Sequence, residues 1–317
     1  MRCIDLFAGA GGFSEGARAA GLTVVWAANH WPEAVAVHER NHPGTAHLCQ
    51  DLHQADWTKV PAHDVLLASP CCQGHSRARG KDRPHHDAAR ATAWAVVSAA
   101  ECHRPPFVVV ENVPEFALWA LFPAWCSALE ALGYALRAEV LDACQFGVPQ
   151  LRKRLFLVAT TGPAFDFAGL GGQRVRPIRE AVDLDSGDWH PVADVLRVRQ
   201  GLRPLVPATK ARIAAGREAF GDRPFWIPYF GSNRRGWGLD VPIWTITTRD
   251  RYALVHGDRF RFLTVDECRR AMGFPEDYRL TGKSRTDKYL LGNAVCPPVA
   301  TALLHRVAGL AEVPHAC

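Results

Sequence analysis

The chain has 317 residues, 48% hydrophobic and 22% charged, with a formal net charge of +5. That length accommodates one large domain or a large domain carrying a smaller insert, and that balance excludes a mostly disordered chain. The mild positive charge is compatible with a polyanionic partner without requiring one. Ten cysteines stand at irregular spacing without a CxxC pair, and the opening Met1-Arg2-Cys3-Ile4-Asp5 reads as the start of an apolar strand, so no signal peptide is expected. No apolar run reaches the roughly eighteen residues that a membrane span needs. The expectation is a cytoplasmic, reduced protein without membrane attachment.

In chain order, strands are expected at 3–7, 22–28, 65–69 and 107–113, alternating with helices at 13–20, 32–40 and 88–102. This rhythm predicts an α/β fold, a mainly parallel sheet with helices on both faces, whose ligands sit at the carboxyl ends of the strands. Strands at 134–143 and 154–160 follow, and then the rhythm stops. Residues 162–258 are rich in Gly, Pro, Arg and Trp and read as a second, small, irregular domain. The pattern resumes near Phe262 with a helix at 265–272, a strand or turn at 289–291 and a last helix at 298–310. The large domain is thus expected to comprise 1–161 and 259–317.

Three segments carry chemistry. Asp5-Leu6-Phe7-Ala8-Gly9-Ala10-Gly11-Gly12-Phe13 is a strand end, a glycine turn and a helix start. It lacks the Lys-Ser/Thr of a P-loop and the GxGxxG spacing, so a nucleoside without pyrophosphate suits it better than ATP or NAD. A turn packed for its own sake is the plainer alternative. Pro70-Cys71-Cys72-Gln73-Gly74-His75-Ser76 and Glu111-Asn112-Val113 each follow or end an apolar strand. Together they supply a thiolate and an acid, which suits an electrophile that must be protonated as it is attacked.

With these segments in view the chain resembles the C5-cytosine DNA methyltransferases, which depend on S-adenosylmethionine. The resemblance rests on Phe7–Gly16, Cys72-Gln73, Glu111-Asn112-Val113, Gln150-Leu151-Arg152-Lys153-Arg154, Leu263-Thr264 with Glu267 and Gly273-Phe274-Pro275, and Gly292-Asn293-Ala294-Val295. It implies a Rossmann-like S-adenosylmethionine sheet, with residues 162–258 as a target-recognition domain. Cys72 is then the nucleophile at C6 of a flipped cytosine, Glu111 the acid at N3 with a raised pKa, and Arg152 and Arg154 hold the base and nearby backbone. Cys72 is preferred to Cys71 because it keeps the following Gln and the spacing to Ser76, which leaves Cys71 as a small buried thiol.

The resemblance also places Phe7, Ala8, Gly9, Gly11, Gly12, Phe13, Asn29, His30, Trp31, Asp51, Asn293 and Ala294 at the cofactor. His30 departs from the acidic residue that accepts both ribose hydroxyls, since a neutral imidazole accepts one hydrogen bond. Gln73, Ser76, Arg77, Arg79, Asn112 and Gln150 are expected on the substrate. Arg77, Arg79, Lys81 and Arg83 form a charged loop beside the nucleophile that suits phosphates. Arg234 and Arg235, in a run of aromatics and glycines, suit base edges; the same run also reads as an aromatic mini-core with solvated arginines. The expected partner is double-stranded DNA, the expected state a monomer, and no metal is expected because the histidines lack ligand spacing. Rival readings are the same reaction on RNA, tRNA included, a catalytically silent DNA-binding protein on the same scaffold, and a modified S-adenosylmethionine as donor.

Overall fold

A computed structural model describes residues 1–72, 75, 90–231 and 233–311. Its main sheet contains β1 (Arg2–Leu6), β2 (Thr23–Asn29), β3 (Ala46–Cys49), β4 (Val65–Ala68), β5 (Phe107–Asn112), β6 (Ala135–Asp142) and, after the two-residue β7 (Gln150–Leu151), β8 (Lys153–Thr160). The order is β3-β2-β1-β4-β5-β8-β6, with β8 antiparallel to both of its neighbours and the other pairings parallel. The central strands are near-continuous apolar runs because both faces are covered. Successive residues alternate between two cores. Cys3, Val65, Leu67, Val109 and Val158 join one, and Ile4, Leu6, Leu66, Val108 and Leu157 join the other.

Helices α1 (Gly12–Ala19), α2 (Pro32–Asn41), α3 (Trp94–His103) and α4 (Phe122–Ala131) follow β1, β2, β4 and β5. The chain reverses direction across the sheet between β1 and β4, the switch point where α/β sheets open a crevice. Leu6 pairs with both Ala28 and Ala68, so three strand ends finish level there.

Within 162–258 the short periodic pieces become α5 (Asp194–Arg199), α6 (Pro207–Phe220) and strands of a second sheet. That sheet holds β9 (His190–Pro191), β10 (Phe225–Pro228), β11 (Trp237–Gly238), β13 (Tyr252–His256) and β14 (Arg259–Phe262), ordered β11-β10-β13-β14-β9 and antiparallel throughout. Its alternation divides it: Phe225, Ile227 and Val255 share a small cluster with Ile213 of α6, while Trp226 and Leu254 join the larger core of the main sheet. β12 (Ile243–Trp244) leaves this sheet and pairs with β7.

Three helices close the chain. The first is α7 (Val265–Ala271), which begins in a capping box: Thr264 Oγ1 accepts from the Glu267 amide, and Glu267 accepts from the Thr264 amide. The second is α8 (Ser284–Asn293); the strand or turn expected at 289–291 is therefore part of a helix. The third, α9 (Pro297–Ala311), packs Val299, Ala300, Leu303, Leu304 and Val307 into the core and lies against α1. Contrary to the sequence reading, the 28 residues Ser284–Ala311 contain a window apolar enough to span a membrane. Half of that window is buried within the protein, and the helix is interrupted between Asn293 and Pro297.

Candidate active site

A cavity of about 590 Å³ opens at the switch point. That volume lies within the range of small-molecule sites. Its walls come from the ends of the central strands and from α8, and they bring together Phe7, Ala8, Gly9, Phe13, Asn29, His30, Trp31, Asp51, Cys71, Cys72, Glu111, Asn293 and Ala294. These residues are dispersed over most of the chain, and the parallel sheet gathers them because every βα connection emerges at the same edge. The turn is conformationally demanding: Gly9 has φ +55°, and Phe7 takes φ 60°, unusual for a bulky residue. A Cβ on Gly9 would meet only the Phe7 carbonyl, at 3.7 Å, so the turn stays open on the cavity side.

The nucleophile segment is held by its backbone. Asn112 Nδ2 donates to the Pro70 carbonyl at 3.0 Å while its Oδ1 accepts from the Val113 amide at 2.9 Å. The Cys71 amide donates to Thr92 Oγ1 at 3.1 Å. Both cysteines are half-buried and line the cavity, so Cys71 is less buried than the small buried thiol expected of it. Burial pushes the Cys72 thiol up to about 11; Arg154 draws it down and Glu111 adds to the rise. Burial likewise lifts Glu111 above the usual carboxylate range, against the pull of Arg154 and Arg152. Arg154 Nε lies 3.2 Å from Glu111 Oε1, an ion pair at the cavity wall.

At the opposite end, Trp31 meets Tyr289 edge to face at 5.3 Å, and the Trp31 amide donates to Asn29 Oδ1 at 2.9 Å. His30 is exposed at the rim. Asp51 Oδ1 accepts from the His53 amide at 3.0 Å, and this bond with the His53 ring holds its carboxyl below the usual value.

Other expected site residues lie elsewhere. Gln150 is fully buried, its Nε2 donating to the Ala271 carbonyl at 3.0 Å and its Oε1 accepting from the Ile246 amide at 2.7 Å. Arg152 is 2% exposed, and its terminal nitrogens donate to the carbonyls of Ile246, Gly292 and Ala294, while its Nε has no partner among the described residues and its charge still acts on Glu111 and Cys72. Gly11 and Gly12 face away from the cavity. A Cβ on Gly11 would meet the Tyr278 hydroxyl at 2.5 Å, and one on Gly12 the Val295 carbonyl oxygen at 2.1 Å, so Gly12 is glycine for close approach to that backbone, and Gly11 also for its left-handed φ of +82°. Arg234 and Arg235 are exposed, Arg235 lying over the Trp237 ring at 5.2 Å. Gln73, Ser76, Arg77, Arg79, Lys81 and Arg83 lie outside the described residues.

The sequence reading missed Thr92, Arg285, Thr286, Tyr289 and Leu290, all on the cavity wall. Positions 286, 289, 290 and 293 form a helical stripe, the signal that would have placed them on one face of α8. Among the described residues, no group of three or more His, Cys, Asp or Glu side chains is arranged to hold a metal ion.

Comparison with known proteins gives the same picture. Type II methyltransferase M1.HphI of Haemophilus parahaemolyticus is 28% identical over 322 residues, covering 96% of this chain and 86% of that protein. M.AgeI of Thalassovita gelatinovora is 34% identical over 188 residues, and M.HgiDI of Herpetosiphon aurantiacus is 35% identical over 204. Those two matches span 41% and 65% of the relatives' own lengths. A structure of a putative DNA modification methyltransferase from an E. coli prophage superposes with a TM-score of 0.73 at 19% identity, covering 98% of this chain and 99% of that one. The S. pombe Dnmt2 methyltransferase gives 0.68 at 18%, with the same coverage. At these identities the structural likeness speaks for the fold, a Rossmann-like methyltransferase sheet. The family model described as C-5 cytosine-specific DNA methylase matches residues 1–173 and 216–308, most of the chain and every wall of the cavity, and the protein belongs to that family.

Proposed function

We propose that the protein transfers a methyl group from S-adenosylmethionine to C5 of cytosine in DNA, through a covalent bond between Cys72 and C6 of a base flipped out of the duplex. The observation that carries this reading is the sharing of one cavity by Cys72, Glu111 and the strand-end residues Phe7, Trp31 and Asp51. The donor set fits the cofactor. Trp31 and Tyr289 present aromatic edges and faces for a purine, Asp51 keeps one carboxylate oxygen clear of its bond with His53, and the open turn at Gly9 admits close approach. When bound, the cofactor supplies an electrophilic methyl on a sulfonium.

The chain's own groups do the rest. At rest Cys72 is a thiol, and Arg154 favours its ionisation. Protonation of Glu111 removes a neighbouring negative charge, so a neutral acid and a thiolate favour one another. As sulfur bonds to C6, the Glu111 O–H gives its proton to N3, and the C5–C6 electron pair becomes an enamine that takes the methyl at C5. Transfer of the C5 proton to water then expels the Cys72 thiolate from C6 and restores the C5–C6 double bond, while N3 returns its proton to Glu111. Base flipping is required because C6 is closed to Cys72 within the stack. We assign residues 1–161 and 259–317 to catalysis and 162–258, with the second sheet continuing to Phe262, to target recognition.

Bisulfite sequencing of DNA from a bacterial host expressing the protein tests the reading. Protected cytosines at one recurring sequence are expected, absent with Cys72→Ser. Unprotected DNA alongside methylated cytosines in host RNA would overturn the choice of DNA.

A further inference from the structure

Gln150 and Arg152 are buried, and the side-chain amide of one and the terminal nitrogens of the other bridge two parts of the molecule. One side of the bridge is Trp244–Thr248, on the chain path between β12 and β13. Ile246 donates its amide to Gln150 and its carbonyl accepts from Arg152 Nη1 at 3.1 Å, and Thr245 Oγ1 donates to the Leu151 carbonyl at 2.8 Å. The other side is the cavity wall. Arg152 Nη2 donates to the carbonyls of Gly292, at 3.0 Å, and Ala294, at 2.8 Å, which flank the wall residue Asn293.

The two sides also touch without an intermediary. A Cβ on Gly292 would lie 2.4 Å from the Thr247 carbonyl carbon and the Thr248 nitrogen, so α8 and this segment meet backbone to backbone. Lys288 of α8 forms an ion pair with Asp250. The Tyr252 hydroxyl donates to the Thr245 carbonyl at 2.9 Å, tying the segment to β13, which pairs with β10 at the base of the Phe230–Arg235 stretch.

We propose that Gln150 and Arg152 are positioning residues of a joint that makes the cofactor cavity and the target-recognition sheet settle together, so that cofactor and duplex DNA strengthen each other's binding. The proposal rests on the function proposed above. A ligand packed against Thr286, Tyr289 and Asn293 fixes α8, α8 fixes Thr245–Asp250, and that segment fixes β13. A duplex held by the second sheet acts along the same contacts in reverse, because linkage between two binding sites is reciprocal. Arg152 suits the task because a guanidinium fans its donors to several carbonyls at once, which lysine cannot do.

The test is the affinity of the full chain for S-adenosylhomocysteine, measured by calorimetry without DNA and with saturating duplex carrying the site mapped by bisulfite sequencing. The wild type is expected to bind on the order of tenfold tighter with duplex. Arg152→Lys should bring that ratio towards one. Asp250→Asn and Thr245→Val, which cut the joint at its periphery and leave the core packed, should reduce it by about half or more while each ligand's affinity alone stays within about threefold. A wild-type ratio of one, or a wild-type ratio retained in all three variants, overturns the joint. Binding of S-adenosylhomocysteine with no binding of any duplex overturns the reading of function instead.

Discussion

At the scale of single residues, the proposed choice of Cys72 over Cys71 rests on the following Gln73 and the spacing to Ser76. Both line the cavity, and the ionisation of Cys72 responds to Arg154 and Glu111. Cys72→Ser should abolish methyl transfer and Cys71→Ala should retain most of it. Duplex containing 5-fluorocytosine, whose C5 substituent cannot leave as a proton, should trap a covalent adduct, and peptide mapping of that adduct to Cys71 would reverse the assignment. A second residue-scale expectation concerns Asp5, fully buried on β1. Ser14 donates to one of its oxygens at 2.7 Å, and the other has no partner among the described residues. Burial raises its pKa from 3.8 to about 7. The native state therefore keeps this proton to near pH 7 while the unfolded chain releases it near pH 4, so this group's contribution to stability falls as pH rises between those values. Burial lowers His38 and His42, which act in the opposite sense, so the difference between wild type and Asp5→Asn isolates the carboxyl. Urea titrations from pH 4 to pH 8 should show the variant gaining on the wild type by up to about 4 kcal/mol. A constant difference across that range would refute the linkage.

At the scale of elements, the glycine turn joins helices as much as it faces a ligand. Gly12 begins α1 against the backbone of Val295, just ahead of α9, and Gly16 lies against Ala300. Gly12→Ala should thus cost about 1–3 kcal/mol or more through overpacking. Gly44, with nothing within 4 Å of an added Cβ, provides the control, and Gly44→Ala should be neutral or stabilising by up to about 1 kcal/mol. Equal denaturation midpoints for the two variants would mean that α1 and α9 yield more easily than their contact suggests. The capping box of α7 offers a smaller effect. Thr264→Ala should cost about 1 kcal/mol, read from the same titration.

Over the whole molecule, the cations divide by position. Arg77, Arg79, Lys81 and Arg83 follow Cys72 in the sequence, and phosphate contacts from them would carry no base information. Neutralising any one should weaken binding to all duplexes alike and flatten the salt dependence by about one unit of slope. Arg234 and Arg235 are exposed beyond β10, and replacing the one that reads a guanine should cost about 1–3 kcal/mol at the cognate site and relax choice at one position. Titrations against cognate and scrambled duplexes at two salt concentrations separate the two behaviours; site preference that moves with the loop cations instead would remove 162–258 from the role of reader.

The sequence alone determined the strand-helix rhythm, the strand ends at which Phe7, Trp31, Cys72 and Glu111 stand, and the interruption after Thr160. Those features are local: period, turn chemistry and residue type are written along the chain, and a parallel sheet converts them into a shared edge. Only the tertiary structure decided between residues that look alike in a motif. Arg152 and Arg154 are two apart and would share one face of a continuous strand, yet one is spent on three carbonyls and the other reaches Glu111, because Arg152 stands at the break between β7 and β8 while Arg154 lies within β8. Gly9 and Gly12 belong to one turn, yet one opens on the cavity and the other on Val295. The α8 wall, like the bridge of Gln150 and Arg152, depends on partners more than ninety residues away, and no local pattern records which distant carbonyl a buried side chain will find.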